Sequence, residues 1–234
     1  MIRRGQRKAK AQRSSAADGP PQGREPGTDF IRLPRAVPVS LVAGRGHYES
    51  VVERVMNAER SVWIATANLK ELMVEDHRAR PGRRRTMTVG QAASAAAYRS
   101  VLAVFAEHVA RGIEIRLLHA GEPSRPFRAE LARHPHLAAT SAPSGGSFEM
   151  RLCPRVHFKA VVIDGAEVYL GSANWTGAGL GAKGERRRNF ELGLMSRDDL
   201  LLDEIQRYFD VLWHGTPCRA CRLRHICPKP LDGM

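Results

Sequence analysis

The sequence has no long hydrophobic segment, and this absence argues against two classes of protein. Among the 234 residues, no apolar run reaches the roughly 18 residues that a membrane-spanning helix needs. The basic start is not followed by the apolar core of a secretory signal peptide. We therefore expect a soluble protein located in the cytoplasm.

Acidic residues are scarce relative to basic ones. The chain has 24 Asp and Glu against 37 Lys and Arg, which gives a net charge of +13 and a pI near 10.4. Such an imbalance favours polyanionic partners. Nucleic acid is the partner we expect first, and an anionic membrane surface is the alternative.

Large apolar side chains are almost missing from residues 1–28, which carry several arginines and lysines followed by Ser, Gly and Pro. Little there can be buried to offset the entropy cost of ordering, so we predict a disordered basic tail. The rest is long enough for one domain with its own core. We place that domain at residues 29–214 and a cysteine-containing tail at residues 215–234.

Helical and strand patterns alternate along the predicted domain. His47–Arg60 has helical apolar spacing, and Ser61–Ala65 has the composition of a buried strand. Ala92–Arg111 predicts the clearest helix, with Tyr98 on its apolar stripe, and Ile113–Leu117 predicts the strand that follows. A helix followed so closely by a strand indicates a crossover connection. We expect an α/β fold with a mixed, mostly parallel β-sheet flanked by helices.

The segment Val156–Asn174 contains the most informative pattern, H-x-K-x4-D-x6-G-S-x-N. Its β-branched start, Val156–Ile163, predicts a strand whose alternation puts His157 and Lys159 on one face. The dipeptide Asp164-Gly165 predicts a tight hairpin turn into a returning strand. A histidine nucleophile beside fixed cationic and amide donors suits attack on phosphorus, because those donors stabilise the charge that develops on its oxygens.

At these residues the chain resembles the phospholipase D superfamily, whose signature is this HKD motif. Asn189-Phe190-Glu191 is similar to the N-x-E element that follows the motif in that family. The resemblance implies a phospholipase D-like fold and phosphodiester cleavage without a catalytic metal, through a covalent phosphohistidine intermediate. It implies these roles: His157 as nucleophile, Lys159 and Asn174 on the non-bridging phosphate oxygens, Gly171 and Ser172 shaping the turn, and Asp164 and Glu191 orienting and polarising histidine.

A second copy of the motif is missing. Superfamily enzymes use two histidines, one as nucleophile and one as the acid that protonates the leaving oxygen. This chain has one H-x-K, and Asn68-Leu69-Lys70 is no substitute for a second. We therefore predict a homodimer in which His157 of each protomer enters a shared site.

Two basic segments are candidates for substrate contacts. The glycine-rich loop Gly177–Gly184 lacks the G-K-[ST] ending of a nucleotide-binding loop, so we exclude nucleotide triphosphates. It predicts a flexible basic lip beside the active site, and His77–Arg85 is either a solvated loop or a further phosphate grip. The candidate substrate-binding residues are Gly171, Lys183, Arg186, Arg187 and Arg188.

The cysteines form a second constellation. Cys218, Cys221 and Cys227 have C-x2-C-x5-C spacing, and Cys153 is the other cysteine, four residues before His157. Clustered thiols in a cytosolic protein bind metal more often than they form disulfides. Zinc or an iron–sulfur cluster would use about four soft ligands, so Cys153 completes the set, with His225 as a competing ligand. Free or redox-active thiols are the alternative.

Three hypotheses about function follow. The basic charge and the arginine-rich loops favour a nuclease. The anionic surface of a membrane also attracts basic proteins, which keeps a phospholipase D or a cardiolipin-synthase-like enzyme as the second hypothesis. The third is a non-catalytic nucleic-acid-binding or defence-system subunit, which we rank last because the motif residues are all intact.

Overall fold

The computed structural model describes residues 27–76, 97–138 and 143–228. The chain divides into a unit of residues 1–32 and a unit of residues 33–234, and the description below concerns the second. The predicted tail of residues 1–28 lies almost wholly outside the described residues, as does the whole of the predicted basic loop His77–Arg85.

A seven-stranded mixed sheet positions the candidate site. Its strand order is β1-β9-β8-β7-β2-β5-β6, and β3 and β4 pair separately. Only β2–β5 and β5–β6 are parallel pairs, yet five of the seven strands run in the same direction, which confirms the predicted mixed sheet. The strands are β1 (Ser40–Ala43), β2 (Ser61–Thr66), β3 (Met73–Asp76), β4 (Ala97–Ser100), β5 (Glu114–His119), β6 (Ser147–Leu152), β7 (Lys159–Ile163), β8 (Glu167–Gly171) and β9 (Leu192–Ser196).

Helices cover both faces of this sheet. Alternation along β2 sends Ile64 into a core with the first helices and Ala65 into a second core with the last helix. None of the helices in the described residues is long and apolar enough to cross a membrane. The helices are a π-helical turn (Tyr48–Val52), α1 (Glu53–Met56), α2 (Val101–Ala110), α3 (Arg125–Leu131) and α4 (Asp199–Trp213), with 3-10 turns at Pro135–Ala138, Glu185–Arg187 and Thr216–Cys218.

The predicted helix Ala92–Arg111 was wrong at its start. The structure begins α2 at Val101, and Tyr98 lies in β4 with 63% of its surface exposed. Ser100 has extended backbone angles, and its side chain accepts a hydrogen bond from the amide of Leu102 at 3.0 Å. This N-cap ends the strand and starts the helix. The apolar spacing runs on through the cap, so it gave no sign of the boundary.

Helix α4 starts at a second capping side chain. The carboxylate of Asp198 accepts a hydrogen bond from the amide of Leu201 at 2.8 Å and pairs with the Arg35 guanidinium. The bond from Arg35 is the main reason that the pKa of Asp198 falls to about 2, and the cap adds to the effect. Both contacts fix the start of the helix that covers one face of the sheet.

Candidate active site

His157 and Lys159 lie together at the start of β7. His157 immediately precedes the strand and is exposed, whereas Lys159 is its first residue and is only 8% exposed. The Lys159 ammonium donates to the backbone carbonyl of His157 at 2.6 Å, and its Nζ lies 3.4 Å from the Nδ1 of His157. A fixed cation beside an accessible imidazole is an arrangement that brings an anion against the imidazole.

Asn174 joins the motif to the end of β2. Its Oδ1 accepts hydrogen bonds from the amides of Ala67 at 3.1 Å and Asn68 at 3.0 Å, and from the Thr66 hydroxyl at 3.3 Å. These donors assign the orientation of the amide, since two of them are backbone N–H groups. The carbonyl end of Asn174 is therefore occupied by the fold, and its Nδ2 donor is the end left for a ligand.

Glu191 connects the motif to the N-x-E element. The Ser172 hydroxyl donates to the Glu191 carboxylate and also accepts from the amide of Leu192 at 3.1 Å. Asn189 Nδ2 donates to the other oxygen of Glu191 at 3.1 Å. Two segments predicted to belong to one site are thus hydrogen-bonded to each other. In the described part of the chain, Glu191 bonds to these residues and not to His157.

Gly171 has a packing role rather than the predicted role in substrate binding. It pairs with Gly193 of β9, and a Cβ atom added to either glycine would lie 2.2 Å from the side chain of Tyr169. The aromatic ring therefore lies across both positions, and only glycine leaves room for it. The pairing of these two glycines joins residues far apart in sequence, so the motif alone could not show this constraint.

Two buried residues under the site were missed by the sequence analysis. The hydroxyl of Tyr169 accepts from the amide of Ala173, and burial raises the pKa of Tyr169 to about 12. The ring of His47 meets that of Tyr169 edge to face with centroids 5.6 Å apart. Burial lowers the pKa of His47, while its hydrogen bond to Gly44 and the charge of Glu191 act in the opposite direction. His47 carried no signal beyond its place at the start of a predicted helix.

Asp164 does not orient histidine, contrary to the expectation from the HKD motif. It occupies the hairpin turn with a positive φ of 56°, at the end of β7 opposite Lys159. Five residues of strand correspond to roughly 16 Å. Its carboxylate accepts from the backbone amides of three consecutive residues, Glu59, Arg60 and Ser61, at distances of 2.7–3.1 Å. Asp164 thus ties the turn to the start of β2.

We expect Asp164→Ala to reduce stability and to leave the chemistry intact. Removing the carboxylate leaves three backbone donors without their acceptor, which costs about 1–3 kcal/mol of unfolding free energy. Asp164→Asn retains one acceptor oxygen and tolerates the positive φ, so its loss should be smaller. Urea unfolding measures stability, and the cleavage rate per folded chain measures the chemistry. A normal unfolding midpoint with abolished cleavage in Asp164→Ala would contradict this assignment.

The predicted flexible basic lip is a folded loop. Gly177, Gly179 and Gly181 are buried, and the amide of Asn189 bonds to the carbonyl of Ala178 at 3.0 Å. Further backbone bonds join Leu180 to Thr176 and Lys183 to Gly177. The backbone polar groups are paired inside the loop, which explains its order. Of the predicted cations, Lys183, Arg186 and Arg187 are exposed and Arg188 is half-buried.

The four cysteines come together away from His157. Cys153, Cys218, Cys221 and Cys227 line one small cavity, and all four are free thiols. Burial raises the pKa of Cys153, and the nearby Cys218 and Cys227 also raise it. A backbone bond from Leu223 and the side chain of Arg155 lower the pKa of Cys221. Among the described residues, no group of three His, Cys, Asp or Glu side chains is already arranged to hold a metal ion.

Comparison with protein families gives one match that covers more than half of the chain. Residues 84–213 match the family model described as "Cardiolipin synthase, PLD-like domain". The matched range includes the HKD motif, the glycine-rich loop, the N-x-E element and α4. No curated protein sequence matches the chain.

Several solved structures share a similar chain path at low identity. NucT from Helicobacter pylori is 15% identical with a TM-score of 0.46, and the match covers 75% of this chain and 94% of that one. Nuc from Salmonella typhimurium, described as a phospholipase D family member, is 14% identical with a TM-score of 0.46, covering 75% and 93%. TrmBL2, described as an archaeal chromatin protein with a novel mode of DNA binding, is 13% identical with a TM-score of 0.42, covering 78% and 54%.

Proposed function

The chain belongs to the phospholipase D-like family of phosphodiesterases, and on that premise we propose that it is a nuclease that works without a catalytic metal. The observation that carries this proposal is the pairing of the exposed His157 with the nearly buried Lys159, whose Nζ lies 3.4 Å from the imidazole Nδ1. A nucleophile and the cation that neutralises its target are thereby placed side by side.

The proposed reaction has two displacements at phosphorus. The Nε2 of His157, the ring nitrogen on the side away from Lys159, attacks the phosphorus, and the bond from phosphorus to the leaving oxygen breaks. A second histidine gives its proton to that oxygen. Water then attacks the phosphohistidine, its proton returns to the second histidine, and the P–N bond breaks. Lys159 and the Nδ2 donor of Asn174 stabilise the charge on the non-bridging oxygens in both steps.

The second histidine would come from a second copy of this chain. An apolar surface, formed by Leu41, Leu170, Leu192 and Leu194 on the α4 side of the sheet, extends up to Ser172. Leu41, Leu192 and Leu194 are 69%, 56% and 40% exposed, and Leu194 pairs across the strands with both Leu41 and Leu170. A continuous exposed apolar surface next to a site that needs a second histidine supports a two-fold dimer.

Nucleic acid is the substrate class that the charge favours. The net charge is +13, and the exposed Lys183, Arg186 and Arg187 lead directly into Asn189 and Glu191 of the site. Cations spaced along such a loop match the regular phosphates of a nucleic-acid backbone on either side of the cleaved one. We expect binding to weaken steeply as salt is raised.

A cleavage assay in EDTA tests the function. The substrates are single-stranded DNA, duplex DNA, RNA, and vesicles of phosphatidylcholine or phosphatidylglycerol. We expect cleavage of at least one nucleic acid and none of the lipids, with a rate that does not depend on added divalent metal. Cleavage of lipid alone would replace the nuclease by a phospholipase D or a transferase. Tight binding of nucleic acid without cleavage would replace it by a binding subunit.

A further inference from the structure

The cysteine cavity brings together two distant parts of the chain. Cys153 directly follows β6, and Cys218, Cys221 and Cys227 follow α4. These are all the cysteines of the protein, and the four of them line a single cavity together with Leu152 and Leu223. None is in a disulfide. Four unpaired thiols around one cavity are an unusual use of every cysteine in a chain, and soft metals are their natural ligand.

The tail that carries three of these thiols is folded into tight turns. The amide of Cys221 bonds to the carbonyl of Cys218 at 3.1 Å, and the amide of Cys227 bonds to the carbonyl of Leu223 at 2.8 Å. Most of the side chains between them, including Arg222, Arg224, His225 and Ile226, are exposed. Ordering costs about 1–2 kcal/mol per residue for the backbone alone, and this segment buries little apolar surface to offset that cost. A cross-link through the thiols would supply the missing stabilisation.

We propose that Cys153, Cys218, Cys221 and Cys227 together bind a structural metal centre, either a zinc ion or an iron–sulfur cluster. Both centres are held by four cysteine thiolates, and each thiol releases its proton when it coordinates. The thiols around the cavity are not yet at coordination spacing. The three tail thiols lie on an exposed segment of short turns, so rotation of side chains and a small tightening of these turns bring them to the metal.

The centre would fasten the tail to the segment that delivers His157. The carbonyl of Cys153 accepts from the amide of Val156 at 3.0 Å, and Val156 is buried directly before His157. The guanidinium of Arg151 donates to the carbonyl of Trp213 at 2.6 Å, which holds the end of α4 close by. The metal therefore has a structural role and takes no part in the displacement at phosphorus. This proposal is independent of the nuclease activity.

Metal analysis of the full-length protein tests the proposal. The protein is purified in air and, separately, without oxygen, with no metal added, and zinc, iron and acid-labile sulfide are measured per chain. One zinc per chain in both preparations identifies a zinc site. Iron with sulfide and a visible absorption band, retained only without oxygen, identify a cluster. The absence of zinc and iron from both preparations overturns the proposal.

Variants test the set of ligands. We expect Cys153→Ser and Cys227→Ser to reduce the metal content to background, and His225→Ala to retain it, since the imidazole is the competing ligand in the same tail. Circular dichroism confirms that each variant is folded. In the wild type, all four thiols should resist alkylation until a chelator or denaturant is added. Four thiols that react at once in the native protein, or metal retained in folded Cys153→Ser but lost in His225→Ala, would contradict the four-cysteine centre.

Discussion

Replacement of His157 by alanine should lower the rate of phosphodiester cleavage in EDTA by about 10⁴-fold or more. The loss is large because the imidazole is both nucleophile and, from the other protomer, the proton donor, and deleting such a group leaves only what binding and the charged donors provide. Single-turnover cleavage of a labelled oligonucleotide measures the effect. Binding of the same oligonucleotide should change little, since Lys159 and the exposed cations remain.

A second exposed histidine provides the control for this variant. His136 lies in a 3-10 turn outside the candidate site and is exposed, so His136→Ala should cleave at the wild-type rate. Acid quench of the wild type during turnover should also trap label on the protein, and this label should be absent from His157→Ala. Undiminished cleavage by purified His157→Ala would remove His157 from the reaction.

A negative charge in the exposed apolar surface should separate the dimer and stop the reaction. Leu194 lies between Leu41 and Leu170 across three strands, so Leu194→Asp places an unpaired carboxylate in the middle of the proposed interface. We expect a monomer by sedimentation and a loss of cleavage of about 100-fold or more, because each site then lacks its second histidine. Leu200→Asp, at an exposed leucine on α4, should remain dimeric and active.

Mixing protomers distinguishes a shared site from two separate ones. When His157→Ala chains are exchanged with wild-type chains, a mixed dimer has one histidine in a site that needs two. Total activity should then fall with the square of the wild-type fraction, rather than in proportion to it. A proportional fall, or a wild-type protein that cleaves as a monomer, would mean that the proton comes from a residue of the same chain.

The sequence predicted those parts of the structure that depend on local pattern. Asp164-Gly165 predicted the turn, and the strands on both sides of it formed because β-branched residues fill them and their sides are buried. The same local signal at Ala92–Arg111 failed, since the helical spacing of its apolar residues continued across the Ser100 cap. A cap is one side-chain contact, and it is weak in any periodicity count.

The roles within the motif were less predictable, because they depend on contacts between distant segments. The spacing grouped Asp164 with His157, whereas the fold places them at opposite ends of β7 and gives Asp164 to the start of β2. Likewise, Gly171 is small because the Tyr169 ring crosses it toward Gly193, a neighbour that only strand pairing reveals. A motif records which residues are required, and it does not record whether the requirement is chemical or geometric.

The hydrogen bonds of Asn174 make the loop after β2 an indicator of site occupancy. One end of this side chain holds the amides of Ala67 and Asn68, while the other end is the proposed phosphate donor. A ligand that restrains the Nδ2 group must also restrain Oδ1, so phosphate binding and local opening of this loop are thermodynamically linked. Hydrogen exchange at the two backbone amides should consequently slow as the site fills, which gives a spectroscopic titration of binding that needs no cleavage.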